Sequence, residues 1–589
     1  MLKCDVINKI HQLQQFKHTW TNILEEEQNN NPFIEYEWIY SWWNCIGQNN
    51  PNIEIYVVRE NDAPIAFFPF IRKQKANIQI VSFIGDKTSN YMDIIVKGSH
   101  KQVAIEFMLD WLFQKYKHII FNLRGLLESN DTTNMIQDYF IQRKLPYSLF
   151  RTVSPYIQLE DINLEDFLYE RRKLHGMDRR EKRLKQFGNI AFIRANVNNL
   201  DKIYDIFNRR WAKKIDTSDF TSLENKQFVN ELMLSNSNSL SIEVDALTFE
   251  NKWIGFRYGI GCRGRYISYA LGHLPSFEIF GPGRLLDREK IIDASRNHYQ
   301  IYDFSIGHEN YKFDWSTNLD YTRKYVARSK GLKTWLVAGQ FILKEKVIDI
   351  LKKRKSIVHF KRNTLGLFKY MVKNKSYEEL KKLVNNIFPL KVFSIYEYNS
   401  QKLEKNCSKL YEPIAMKEAI WTNEKIISYY YKGYIPYKKE DGISFLLHPK
   451  CIRIDTVNYI QSLKKSNCYI SEYELSELKE ITAFLLNSNN YKSIYTTTNF
   501  LNFRKQRELW KQQYRKRSVL FQLKLFKREW KWEKFLEGED PILQISNLHK
   551  NEPTLLKNLQ MKTKNVNSIV CKLIIKINRW RDTRLIKKK

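Results

Sequence analysis

One pattern occurs twice in this chain, and it restricts the fold more than any other feature. The first copy reads as a strand Ile53-Glu54-Ile55-Tyr56-Val57-Val58, a turn at Glu60-Asn61-Asp62, an apolar strand from Pro64 to Ile71, and a strand from Ile78 to Ile84 ending in Gly85. A helical stretch from Gln102 to Tyr116 and a strand from His118 to Leu123 complete it. The second copy runs from Ser241 to Phe249, through a turn at Glu250-Asn251-Lys252, to strands Trp253 to Gly261 and Arg265 to Leu271. A glycine turn at Gly281 to Gly283, a helix from Leu285 to Asn297 and a strand from Gln300 to Ser305 close it. Apolar runs bounded by Asn, Asp and Gly predict hairpins, and a helical run between two strands predicts a crossover. The expected fold class is α/β (α+β), with tandem mixed sheets flanked by helices.

The segment Phe280-Gly281-Pro282-Gly283-Arg284-Leu285-Leu286 joins a strand to a helix. A glycine turn that opens a helix leaves backbone N–H groups free and points the positive end of the helix dipole outward. Such a turn holds an anion, above all a phosphate. Gly281 and Gly283 permit close approach of the backbone, and Pro282 stiffens the turn. Arg284 either adds charge at the helix start or is a solvated arginine, and an ordinary strand-to-helix connection is the plainer alternative for the whole segment.

At 589 residues the chain has room for three or four units of ordinary size. No apolar run approaches the roughly 18 residues of a membrane span, and the N-terminus has no charged, apolar and small-residue regions of a signal peptide. A cytoplasmic protein is expected, with contact to the inner membrane face left open. The cysteines Cys4, Cys45, Cys262, Cys407, Cys451, Cys468 and Cys571 have neither metal-ligand nor redox spacing. Free thiols and no metal site are therefore expected.

Several motifs occur in a particular order. They are Asn31-Pro32-Phe33 before Glu37-Trp38, Phe67-Phe68-Pro69, Phe83-Ile84-Gly85 followed by Asn90-Tyr91-Met92-Asp93, the glycine turn, and Tyr302-Asp303-Phe304 followed by Gly307, Glu309, Tyr311-Lys312 and Trp315. Together with the repeated skeleton, they resemble the GNAT acyltransferases, and within them the BioF2-like or CelD-like branch. That branch has tandem GNAT domains, is related to the FemAB aminoacyltransferases, and often accompanies polysaccharide biosynthesis. The resemblance covers about residues 20 to 330. It implies acetyl-CoA or another acyl-CoA as cosubstrate, no permanently bound cofactor, and a sugar or glycan precursor as acceptor. Gly281, Pro282, Gly283, Arg284 and Leu285 would then bind the cosubstrate.

Acyl transfer to an amine or hydroxyl requires loss of a proton from the acceptor. Asp303 stands in a strand of apolar and aromatic residues, and His308 and Glu309 follow where ligands collect in α/β sheets. These three are the candidate bases. Against that role, Asp303 would brace Arg257 or Lys312, and His308 would merely satisfy a turn. A Tyr311 phenol suits reprotonation of a departing thiolate, and Lys312 suits an oxyanion or a phosphate. Equally, Tyr311 and Trp315 lie four apart, the spacing of a buried helix stripe that would leave Lys312 exposed. No Ser/His/Asp order or thiol-histidine pair argues for a covalent acyl-enzyme, so direct transfer is expected.

Between the repeats, Tyr169 to Phe187 carries Arg171-Arg172-Lys173, Arg179-Arg180 and Lys182-Arg183 and is expected to be helical until Gly188. Its cations suit the ribose phosphate of CoA, or form a solvated face paired with Glu170 and Glu181. Charge divides the chain further. Up to Lys330 there are 44 cationic against 40 acidic side chains, and beyond it 53 against 24. The front reads as an enzyme and the back as a contact surface.

The expected organisation is an N-terminal GNAT-like domain over 1–160, a second with the acyl-CoA site over 161–330, a basic helical linker over 331–390, and a basic domain over 391–589. In the last, Ser493 to Asn499, Phe503 to Tyr514 and Ser518 to Leu525 read as strand, helix and strand, faintly like the end of another GNAT unit. Cations interleaved with aromatics from Arg504 to Trp532 suit an anionic membrane or a nucleic acid. The sequence reads as an acyl-CoA-dependent acyltransferase that acetylates a sugar precursor. The rivals are a FemAB-like enzyme using aminoacyl-tRNA and a non-catalytic scaffold binding membrane or nucleic acid.

Overall fold

The computed structural model describes residues 1–85, 88–171, 176–211, 219–235, 237–353, 390–399, 411–414, 425–439, 443–488, 491–500, 502–525 and 528–536. The first repeat comprises β1 (Leu2–Ile7), α1 (Ile10–Gln14), α2 (Lys17–Glu26), α3 (Tyr36–Cys45), β2 (Ile53–Glu60), β3 (Ala63–Lys75), β4 (Ile78–Phe83) and β5 (Ile95–Val96). It continues through α4 (Lys101–Lys115), β6 (Ile119–Leu127), α5 (Asp131–Gln142) and β7 (Tyr147–Gln158). The second comprises α6 (Leu164–Arg171), α7 (Met177–Phe187), β8 (Ile190–Arg194), α8 (Leu200–Trp211), α9 (Leu223–Leu234), β9 (Leu240–Phe249), β10 (Lys252–Cys262) and β11 (Arg265–His273). It ends with α10 (Pro282–Arg296), β12 (Ile301–Asp303), α11 (Asn310–Trp315) and β13 (Asn318–Arg328).

Four two-residue turns make the repeats visible in the backbone. Asn61-Asp62, Ala76-Asn77, Glu250-Asn251 and Arg263-Gly264 all have positive φ at both positions, the geometry whose twist matches antiparallel strands. They set the registers of β2 with β3, β3 with β4, β9 with β10 and β10 with β11. The strands then join in one sheet of order β1-β2-β3-β4-β6-β13-β7-β12-β11-β10-β9-β8, with β5 on β3. The repeats exchange their last strands: β13 lies against β6 of the first repeat, and β7 lies against β12 of the second. The core is correspondingly continuous. Trp38 of α3 meets Phe228 and Tyr269 of the second repeat edge-on, and buried Glu35 pairs with Arg263.

Each repeat has a crossover pair of parallel strands joined by a short ladder. β4 and β6 are paired from Gln79/Ile119 to Val81/Phe121, and β11 and β12 from Arg265/Ile301 to Ile267/Asp303. The first ladder stops two residues before β4 ends at Phe83, and the second stops where β12 itself ends at Asp303.

After α12 (Leu332–Lys353), the described residues form a smaller sheet. It contains β14 (Leu390–Asn399), β15 (Glu412–Pro413), β16 (Ile435–Lys438) and β17 (Ile443–His448), with α13 (Lys425–Tyr431) before β16. A separate hairpin, β18 (Cys451–Ile454) with β19 (Tyr459–Ser462), precedes β20 (Asn467–Ser471), α14 (Leu478–Ser488), β21 (Ser493–Asn499), α15 (Phe503–Lys511), β22 (Arg515–Leu525) and β23 (Arg528–Phe535). The order is β15-β16-β17-β20-β21-β14-β22-β23. β20 and β21 are parallel, and β14 runs antiparallel between β21 and β22, as β13 does between β6 and β7.

Some expected elements differ. The helix expected from Tyr169 to Phe187 is two helices, because Gly176 takes a left-handed conformation with φ 65° immediately before α7. Its Arg172 and Lys173, most of the basic linker, Cys407, Cys571 and the chain beyond 536 lie outside the described residues. Cys4, Cys45, Cys262, Cys451 and Cys468 are free thiols. Among the described residues, no helix is long and apolar enough to cross a membrane, and no cluster of His, Cys, Asp and Glu has the arrangement of a metal site.

Candidate functional site

The glycine turn sits where the sequence placed it, and each residue in it has a local reason. After β11, a 3-10 stretch from Pro275 to Phe280 ends at Gly281, which adopts φ 64° and ψ 49° and caps α10. A side chain there would be strained. Pro282 occupies the first helical position, where a missing N–H costs nothing. The Gly281 carbonyl accepts the N–H groups of Arg284 and Leu285 at 3.0 and 3.3 Å. A Cβ on Gly283 would lie 3.0 Å from the Leu271 side chain, so glycine lets α10 approach β11 closely. Leu285 is fully buried.

The cation at the mouth of this helix is Arg180 of α7. Its Nη1 is 3.5 Å from the point where a Cβ on Gly281 would stand. Helix α7 is held alongside α10 by the Arg288–Glu181 ion pair at 2.8 Å. Arg284 instead reaches across to Asp314 of α11 at 3.1 Å. Phe280, just before the turn, packs on Tyr431 at the end of α13, and the Arg183 guanidinium lies 4.6 Å from the Tyr431 ring centroid.

Asp303 ends β12 and is completely buried. Its carboxylate accepts from Arg265 Nη2 at 2.5 Å, from the Tyr91 hydroxyl at 2.9 Å to each oxygen, and from the Ser305 N–H at 2.6 Å. The residue it braces is therefore Arg265, not Arg257 or Lys312. Arg257, also fully buried, pairs with Asp287 in the second turn of α10 and donates to Ser268. Lys312 donates to the carbonyls of Ser305 and Ile306 at 3.2 and 2.7 Å and lies 3.2 Å from Glu309.

These contacts shape the loop between β12 and α11, in which Ser305 and Gly307 have φ of 63° and 138°. Lys312 is buried rather than exposed, because its amine supplies the only described side-chain donor to those two loop carbonyls. Burial lowers its proton affinity below that of an ordinary lysine, with nearby Glu309 opposing. Tyr311 is half-buried, and burial pushes its phenol up to about 12. His308 and Glu309 are exposed at the loop's outer end. The loop thus separates two kinds of candidate: Asp303 and Lys312 are internal ties, while His308 and Glu309 face solvent.

Sequence reasoning missed Arg265, Arg180 as the cation nearest Gly281, and the reach of Tyr91 across the repeats. Tyr91 stood within a quoted motif, so its importance, though not its partner, was legible.

The first repeat lacks the corresponding opening. Its glycine, Gly85, has φ 78°, but among the described residues the next α-helix starts only at Lys101. Before that helix, the Met92 N–H donates to the Gly125 carbonyl at 3.0 Å, and Ile95 and Val96 pair with β3.

A family model described as an acetyltransferase (GNAT) domain matches residues 171–313, which run from the last residue of α6 into α11. That match covers most of the second repeat. No curated protein matches the chain. Among solved structures, similarity extends to the C-terminal domain of a putative lysylphosphatidylglycerol synthetase from Agrobacterium fabrum, at 9% identity over 55% of this chain and 95% of that one, with TM-score 0.35. FemX is similar at 9% identity over 54% and 96%, with TM-score 0.37. A tandem GNAT protein from the clavulanic acid biosynthesis pathway is similar at 9% identity over 56% and 100%, with TM-score 0.34.

Proposed function

We propose that the second repeat transfers an acyl group, acetyl in the simplest case, directly from acyl-CoA to an amine or hydroxyl of a sugar precursor, as in the CelD-like branch that the motifs resemble. One observation carries this reading. The end of β11 leads into a 15-residue helix capped by left-handed Gly281, with the Arg180 guanidinium beside the cap and a parallel ladder of β11 with β12 that ends at Ile267/Asp303. A helix N-terminus plus a guanidinium suits a pyrophosphate, and the edge of β11 beyond Ile267 offers backbone groups to the pantetheine amides.

In this reading, His308 or Glu309 takes the proton as the acceptor attacks the thioester carbonyl. The new C–N or C–O bond forms, the C–S bond breaks, and CoA departs as the thiolate. Tyr311 stays protonated at neutral pH and donates a hydrogen bond to that thiolate. Lys312 and Asp303 hold the loop, and Gly281, Pro282, Gly283, Arg284 and Leu285 form the donor turn. In this reading the N-terminal GNAT-like domain is 1–160 and the second, with the acyl-CoA site, is 161–330, the two sharing one sheet. The basic C-terminal domain, 391–589, is then a further GNAT-like unit, because its described strands repeat the order of parallel pair, helix, strand and inserted antiparallel strand, and its positive charge faces a membrane or an anionic glycan-lipid at the cytoplasmic surface.

The excess of 53 cationic over 24 acidic side chains beyond Lys330 favours one other donor, an aminoacyl-tRNA. Calorimetric titration with acetyl-CoA at two salt concentrations tests the choice. Micromolar binding that is lost in Gly283→Trp supports the acyl-CoA reading. No binding of acetyl-CoA, with steeply salt-dependent binding of aminoacyl-tRNA, refutes it.

A further inference from the structure

Helix α12 carries apolar side chains on two faces. On one, Val337, Ala338, Phe341 and Ile342 pack on Ile78, Ile120 and Val326 of the large sheet, and the Lys324–Glu345 ion pair at 2.7 Å ties the helix down. On the other, Leu332, Trp335, Leu336, Leu343, Val347 and Ile350 are between 44% and 71% exposed. At about 100° per residue, these six fall within an arc of about 120° and extend along about 27 Å of the helix. Gly339 stands in the same arc, and a Cβ there would meet nothing within 4 Å. The stripe is therefore open along its middle as well as at its ends.

Single apolar residues on a surface need no partner, but a continuous stripe marks a contact. Among the described residues, six of the twenty exposed large apolar side chains stand on this one helix. That concentration sets it apart from ordinary scatter.

Charge selects the occupant. Within residues 330–350, Lys330, Lys333, Lys344 and Lys346 are exposed, against one exposed carboxylate, Asp349. Exposed Lys75, on the β3–β4 hairpin, adds a further cation beside the helix by donating to the Gln340 side-chain oxygen at 3.4 Å. A second copy of this surface would bring like charges together, whereas an anionic lipid layer accepts both the apolar stripe and the flanking ammonium groups. Lysine stems are long enough to keep their charges among the headgroups while the leucines go deeper. Because the opposite face of α12 is held on the sheet, the helix would lie flat in the interface.

We infer that α12 is a membrane-docking surface that seats the two repeats on an anionic phospholipid bilayer, with Leu336 and Leu343 near the middle of the contact. This face is separate from the basic domain over 391–589, and its docking does not depend on the acyl-CoA reading.

The test is co-sedimentation of the full chain with phosphatidylcholine vesicles that contain or lack phosphatidylglycerol. Binding to the anionic vesicles is expected, with weaker binding to phosphatidylcholine alone and a part that survives high salt because it is apolar. The double variant Leu336→Gln, Leu343→Gln adds no charge and should weaken binding by about tenfold or more. Both side chains are more than half exposed, and thermal unfolding checks that the variant folds. If it does not, Trp335→Phe decides: brominated phosphatidylcholine in the anionic vesicles should quench the parent's fluorescence more than the variant's, although the chain has 14 tryptophans. No binding to the anionic vesicles, equal quenching of parent and Trp335→Phe, or unchanged binding in the folded leucine variant, which would leave the contact to the basic domain, overturns the inference. So does a parent dimer that the leucine variant converts to a monomer, since a second copy would then cover the stripe.

Discussion

The Tyr91 hydroxyl stands 2.9 Å from both carboxylate oxygens of Asp303, so the first repeat supplies a buried donor to the strand that leads into the candidate loop of the second. Ser154 of β7 lies 3.5 Å from the same carboxylate. The exchanged strand, the first repeat's loop and Arg265 all converge on one group with no exposure to water. A buried carboxylate of this kind is held by its donors, and each lost donor leaves charge uncompensated.

Tyr91→Phe is therefore expected to destabilise the folded chain by about 1–3 kcal/mol. A Tyr91→Phe, Asp303→Asn double-mutant cycle should show coupling, because both changes act on one network. Urea unfolding followed by fluorescence measures both. Independent, additive losses would mean that the pair does not act as a unit.

Arg180 and Arg284 should respond differently when the donor turn is probed. Arg284 is already engaged by Asp314, while Arg180 borders Gly281. Arg180→Ala should weaken acetyl-CoA binding by about tenfold or more, the worth of one charge-assisted contact, and reduce its salt dependence. Arg284→Ala should change affinity much less. Calorimetry on the two variants decides, and the reverse ranking would place the phosphates elsewhere.

The repeats were legible because their turns are local. Asn61-Asp62 and Glu250-Asn251 lie between apolar runs, and both dipeptides adopt the left-handed pairs that such hairpins need. The glycine turn was legible for the same reason. The exchange of β7 and β13 was not, since pairing between strands about 170 residues apart leaves no local mark. The partner of Asp303 was hidden likewise. Arg265 reaches it because β11 and β12 are in parallel register, with Ile267 opposite Asp303 and Arg265 two residues away on the same face. Arg257, one strand further on, is occupied by Asp287 of α10.

Lys505 offers a test by pH. It lies in the first turn of α15, with its amine 4.2 Å from the centroid of the Tyr473 ring, and burial pushes its pKa down to about 8 from an ordinary 10.5, with Glu472 opposing. Between those values, the unfolded chain binds more protons at this site than the folded one, so the site's contribution to stability rises with pH across that window. Below about pH 8 the folded chain carries the ammonium and its desolvation penalty. Urea midpoints of the parent chain should therefore rise, relative to Lys505→Met, between pH 7.5 and about pH 10. A constant difference would show that Lys505 titrates as an ordinary lysine.

Tyr431 tests whether α13 bears on the glycine turn. Its ring meets Phe280 with centroids 5.5 Å apart, nearly perpendicular, and carries Arg183 on its face. Phe280 precedes the left-handed Gly281, so a change in its packing is transmitted to the cap of α10 through a single peptide link. Ile427, from the same helix α13, is buried in the core of the two repeats. Tyr431→Ala removes an aromatic pair and a cation–π contact worth about 1–3 kcal/mol together, and it should weaken acetyl-CoA binding severalfold while leaving the far-UV spectrum unchanged. Tyr431→Phe keeps the ring and should restore the parent affinity, which separates a packing role from a role of the hydroxyl. Equal affinity in the parent, Ala and Phe chains would mean that α13 touches the glycine turn without influencing it.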